Sequence, residues 1–188
     1  MSVDRARLRF VEVVREQFLG LAAIGYEEAE ASELEVRFRN EEFGVDVKLC
    51  HETLSYEVYC TVEWEQYACT PADLLRVSDP EAAKRYRDPS GHTPESVQLA
   101  VAEVARIVVA HGTRALRGDP GFFARAAVLR AEAADVWYRQ QRAVEIRRMA
   151  FAAFRERRYC ECIDLYEQIV DMLSPAEMAK LHYARRRV

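Results

Sequence analysis

Leu8, Val11, Val14, Phe18 and Leu21 follow one another at steps of three and four, which predicts one apolar face of a helix over residues 5–24. Gly20 and Gly25 mark its end, and the acidic Glu27-Glu28-Ala29-Glu30 reads as a connector. The period then switches to two. Leu34, Val36 and Phe38 alternate with Glu35, Arg37 and Arg39. Phe43, Val45, Val47 and Leu49 alternate with Gly44, Asp46, Lys48 and Cys50. Tyr56, Val58, Cys60, Val62 and Trp64 alternate with Glu57, Tyr59, Thr61 and Glu63. This predicts three half-buried strands in an antiparallel meander. Tight turns at Asn40-Glu41 and Glu52-Thr53 set Phe38 opposite Phe43, Val36 opposite Val45, Leu49 opposite Tyr56 and Val47 opposite Val58. Every inward residue then meets an inward residue. The first helix is expected to cover that face, since three bare strands cannot keep it dry.

Beyond Trp64 the pattern is helical and well punctuated. Thr70-Pro71-Ala72-Asp73, Thr93-Pro94-Glu95 and Asp119-Pro120 each supply a capping residue followed by proline, and Ser174-Pro175-Ala176-Glu177 is close to a full capping box. They predict helices over 71–87, 94–116, 120–156, 159–173 and 175–187, with a loop at Asp88-Pro89-Ser90-Gly91-His92. The fold class is therefore α+β. Residues 1–69 form a helix-plus-sheet domain and residues 70–188 a helical one.

Charge sharpens that division. The chain of 188 residues carries a net charge of −4 with a pI near 5.7, which argues against general nucleic-acid binding. Residues 1–69 hold 7 basic against 15 acidic side chains, whereas residues 70–188 hold 20 against 16. A cationic protein partner for the first domain follows from that asymmetry. Asp4, Arg5, Arg7, Arg9 and Glu12 interrupt the start, so no signal peptide is read there. The most apolar run, Val97 to Ala110, contains Glu103 and Arg106 and is too short to span a bilayer. Five cysteines without framework spacing fit a reducing compartment. The expectation is a cytoplasmic protein that engages neither membrane nor nucleic acid.

Candidate chemistry is sparse. The adjacent Cys50-His51 invites a nucleophile or metal reading, but strand parity sends Cys50 outward and Cys60 inward. Cys160 and Cys162 lie nearly opposite on a helix, and Cys69 stands alone in a loop. His51, His92, His111 and His182 fall in different elements; only His92, in a loop beside Gly91, has the setting of an active-site residue. No phosphate loop, nucleophile elbow or zinc-protease helix is present, so no metal, cofactor or enzymatic activity is expected. A dispersed carboxylate pair has no local signature and leaves an enzyme as a further alternative.

The outward strand positions carry the functional expectation. Tyr59 and Thr61 stand among Glu35, Glu57, Glu63, Arg37, Arg39 and Lys48, and tyrosine among charges is the composition of a recognition surface. Glu35, Arg37, Glu57, Tyr59 and Glu63 are the candidate protein-binding residues. Arg185-Arg186-Arg187 more simply complements a helix dipole.

Two resemblances add to this. Ile146, Met149, Ala150 and Phe154, then Tyr159, Cys162, Tyr166 and Ile169, then Pro175, resemble one tetratricopeptide-type hairpin over about 142–187. Ala150 stands at the usual glycine position, the proline comes one residue late, and there is a single unit, so a docked hairpin is expected and not a superhelical array. The order of elements over about 5–130, with Leu-Arg-Gly-Asp-Pro-Gly-Phe-Phe at 116–123, is similar to small bacterial immunity proteins encoded beside polymorphic toxins. That resemblance implies a stoichiometric inhibitor of a toxin. The alternative is a helical scaffold or assembly subunit that forms a homodimer.

Overall fold

The computed structural model describes residues 5–188; Asp4, one of the charges at the start, lies outside the described residues. The described chain forms one five-stranded antiparallel sheet in sequence order: β1 (Glu27–Ser32), β2 (Glu35–Asn40), β3 (Val45–His51), β4 (Val58–Trp64) and β5 (Tyr67–Cys69). Its α-helices are α1 (Phe10–Gln17), α2 (Pro71–Ser78), α3 (Pro80–Arg85), α4 (Pro94–His111), α5 (Pro120–Arg155), α6 (Tyr159–Glu167) and α7 (Pro175–Arg185). The α+β class is as expected, but the sheet has two more strands than the meander read from the sequence.

Both extra strands lack the period-two signal for physical reasons. β1 is the segment taken as a connector. All six of its residues are exposed, so no apolar alternation marks it. Pairing with β2 holds it, setting Glu27 beside Arg39 and Glu30 beside Arg37, with a register shift between Glu28 and Glu30. β5 is three residues long and follows a tight two-residue turn, Glu65-Gln66, in which Glu65 has a φ of 51°. Cys69 is accordingly a buried strand residue and not a solitary loop thiol.

The strand registers also differ from the expected ones, and both differ by the same amount. Phe38 faces Val47 and Val36 faces Leu49; Leu49 faces Cys60 and Val47 faces Val62. Each partner lies four positions beyond the residue expected. An even slide leaves inward residues opposite inward residues, so alternation cannot detect it. The wider first turn is closed at Asn40 and Val45. Asn40 is buried there, its Nδ2 donating to the Ile24 carbonyl at 2.8 Å and its Oδ1 accepting from the Phe43 amide at 2.9 Å. Gly44 completes the turn with a φ of 60°.

The expected helix over 5–24 breaks into a 3-10 turn at Arg5–Leu8, α1, and a 3-10 segment at Leu19–Ile24. Eight residues of α1 are too few to cover five strands. α4 does most of that work: Val97, Val101, Val104 and Val108 share one core with Leu8, Phe10, Val14, Val36, Val47, Leu49 and Val62. The chain consequently divides into compact units at 1–130 and 131–188, not at residue 69. α2, α4 and the start of α5 contribute to the sheet's own core.

Within the first unit, α2 begins in a capping box in which Thr70 and Asp73 exchange side-chain-to-backbone hydrogen bonds. The wholly buried Asp73 carboxylate also receives Arg76 at 2.5 Å and Arg130 at 2.6 Å, and Arg130 donates to the Ala68 carbonyl of β5 as well. Trp64 stacks on Phe123 with centroids 5.6 Å apart.

In the second unit the end of α5 packs with α6 and α7 around one core. Ala143, Ile146, Ala150, Ala153, Cys162, Tyr166, Ile169, Leu181 and Ala184 form its core, with Ala150 and Cys162 fully buried. Met149, placed on the apolar face by the sequence, is exposed instead. Phe154, Tyr159 and Tyr183 meet edge to face at 5.7–6.0 Å, and a full capping box at Ser174 opens α7.

Candidate protein-binding surface

β2, β3 and β4 alternate buried and less buried positions, and the helices of the first unit share a core with the buried set. The other face carries three cross-strand rows: Glu35–Cys50–Tyr59, Arg37–Lys48–Thr61 and Arg39–Asp46–Glu63. The five candidate residues therefore do share a face, except that Glu57 sits one residue before β4.

The charges on this face largely satisfy one another. Arg37 Nη2 meets Asp46 Oδ2 at 2.7 Å, Lys48 Nζ meets Glu35 Oε1 at 3.0 Å, and Arg39 Nε meets Glu41 Oε1 at 2.9 Å. Thr61 donates to Glu63 at 2.8 Å. Tyr59 donates to Glu57 at 2.5 Å; that bond pushes the phenol up to about 12 and, with a second from Ser55, holds the Glu57 carboxyl below its ordinary value. Half-exposed ion pairs of this kind are worth ~0–1 kcal/mol each, so they order the surface more than they stabilise it.

The acids that remain without a hydrogen bond or ion pair among the described residues lie at the margin. Glu27 and Glu30 on β1 are exposed and unpaired, whereas Glu28 receives both Nε and Nη2 of Arg15 at 2.8 and 2.7 Å. A concavity of about 340 Å³ opens beside them, lined by Gly25, Glu27, Glu28, Arg39, Glu41 and Glu42 among others. The charge asymmetry seen in the sequence is thus concentrated at one edge and not spread over the face.

At the β4 end the structure brings His92, singled out in the sequence, together with Tyr56, Tyr86 and Asp88, which were not. The Val58 amide donates to the Pro89 carbonyl and the Gly91 amide to the Tyr56 carbonyl, both at 2.8 Å, while Glu57 bridges to Ser90. These bonds lay the 88–92 loop along the start of β4. The His92 ring lies tilted against Tyr56 with centroids 4.4 Å apart, and Tyr86 donates to Asp88 at 3.2 Å. Burial raises the Asp88 carboxyl, the Tyr86 bond opposes that, and the nearby Glu57 charge adds to it. The signal for this cluster is long-range backbone pairing, which leaves no local trace in sequence.

The Cys50-His51 pair separates across the sheet. Burial and the Glu35 carboxylate push the Cys50 thiol up to about 11, the opposite of what a nucleophile requires. His51 is buried on the inner face, stacked on Phe10 at 5.5 Å with Nε2 2.9 Å from the Gly91 carbonyl. Among the described residues, no group of three or more His, Cys, Asp or Glu could hold a metal ion, and no helix is long and apolar enough to cross a membrane.

Compared with protein-family models, with curated proteins and with solved structures, the chain finds no match in any of the three.

Proposed function

We propose that the protein is a binding module whose sheet unit captures a cationic protein partner, and that its role is that of an immunity-type inhibitor of a bacterial toxin. The observation that carries this reading is the outer sheet face. None of its side chains is buried, and it sets Tyr59 (36 % exposed) and Glu57 beside the Tyr56, Asp88 and His92 loop cluster. Rigid tyrosines with carboxylates present apolar area and cation-accepting oxygens together, which suits lysine and arginine side chains. The toxin part of the reading rests on the resemblance over about 5–130. Calorimetric titration with the product of the neighbouring gene tests it. Tyr59→Ala should weaken binding by about 1–2 kcal/mol, roughly five- to thirtyfold. Wild-type affinity in that folded variant would remove the face from the interface.

A second reading, a scaffold subunit that self-associates through the second unit, is favoured by one observation. Trp137, Val144 and Phe151 are 54, 60 and 46 % exposed and recur at seven-residue spacing along α5. Sedimentation equilibrium separates the two: a dimer broken by Trp137→Glu supports the scaffold, and a monomer removes it.

A further inference from the structure

The two edges of the sheet are finished differently. β5 is three residues long, and Arg130 caps its Ala68 carbonyl, so that edge offers little to a further strand. β1 is six residues long, contains neither proline nor lysine, is exposed throughout, and pairs only with β2 among the described residues. Its backbone groups on the far side form a row of donors and acceptors suited to an added strand. The same strand carries the acids left unpaired on the sheet. Glu27 and Glu30 stand beside Arg39 and Arg37 in the register, and Glu41 and Glu42 line the adjoining concavity. Like charges disfavour a second copy of β1 on this edge, because glutamates would face glutamates; a strand bearing lysine or arginine meets the opposite condition.

From the open β1 edge and the charge it carries, we infer that a basic, extended segment of the partner protein adds to the sheet as a sixth strand alongside Glu27–Ser32. This rests on the proposed protein-binding reading and assigns it a mode. Main-chain hydrogen bonds to β1 supply affinity, and Glu27 and Glu30 select basic side chains on the added strand's outer face.

The test uses the full chain, isotope-labelled, and two synthetic probes: a short peptide of alternating lysine and valine, and the same peptide with every backbone nitrogen methylated, so that neither of its edges can donate. Charge is identical in the two; only the first can complete a ladder. The unmethylated probe should bind at low salt and slow hydrogen exchange of β1 amides, while the methylated probe binds at least about tenfold more weakly. Glu27→Gln with Glu30→Gln, both exposed, should weaken the first probe and flatten its salt dependence. Equal binding of the two probes, or no binding of either, overturns strand addition, as does β1 protection that grows with protein concentration and so reports a second copy. Each of these outcomes leaves the outer-face reading to stand or fall separately on the Tyr59→Ala titration.

Discussion

Gly91 shows how much of the candidate surface hangs on single residues. Its amide donates to Tyr56, its carbonyl meets His51, and a Cβ built on it would lie 2.7 Å from the Val97 backbone. The conflict is with α4 backbone, which cannot yield as a flexible side chain could. Gly91→Ala should therefore destabilise by about 1–3 kcal/mol through overpacking and displace the 88–92 loop from β4. Thermal unfolding, together with loss of the ring contact between Tyr56 and His92 in NMR spectra, checks this. Asp73 is a second such residue. Truncating it removes the carboxylate half of the α2 capping box and the shared acceptor of Arg76 and Arg130, which are partly exposed and stay solvated, so Asp73→Ala should cost about 1–2 kcal/mol by chemical denaturation. The sequence exposed only part of this. Thr70-Pro71-Ala72-Asp73 announced the cap, but the Arg130 partner lies 57 positions away and carries no local mark.

At the level of elements, alternation and capping read well wherever one face is buried. The period alone points Val36, Val47, Leu49, Val58 and Val62 inward, and all are buried. The helix starts at Thr70, Thr93 and Ser174 were legible because their chemistry is local. Register was not, since a four-residue slide preserves parity. β1 was not, since a strand exposed on both faces has no apolar signature, and this is the element on which the strand-addition argument turns. The Arg15 pairing that ties β1 to α1 holds the Glu28 carboxyl below its ordinary value of 4.5. Its stabilisation is present above that pH and is lost as pH falls through the lowered value in the folded state. Because both side chains are largely exposed the effect is small. Relative to wild type, Glu28→Gln should be slightly less stable at neutral pH and converge with it in acid, as read by urea midpoints. In the second unit, Ala150 is fully buried against the hairpin. Ala150→Leu should lower stability by about 1–3 kcal/mol, and an unchanged melting temperature would contradict the close helix approach implied by the tetratricopeptide resemblance.

For the whole molecule, the unit boundary decides which parts can stand alone. The sheet core takes Val97, Val101, Val104 and Val108 from α4 and Phe122, Phe123 and Ala126 from the start of α5. A fragment of residues 1–130 should keep cooperative unfolding, whereas one of residues 1–69 should expose that apolar face and aggregate. Charge divided the sequence at residue 69 because acidity follows the strands, but packing divides it at residue 130 because helices after the sheet complete the sheet. The proposed function requires that the sheet unit, and not the helical unit, meets the partner. Hydrogen exchange on the full chain, with and without the neighbouring gene's product at saturating concentration, tests this most directly. Slowed exchange is expected in β1 and at residues 56–59 and 88–92. Protection confined to residues 131–188 would contradict it.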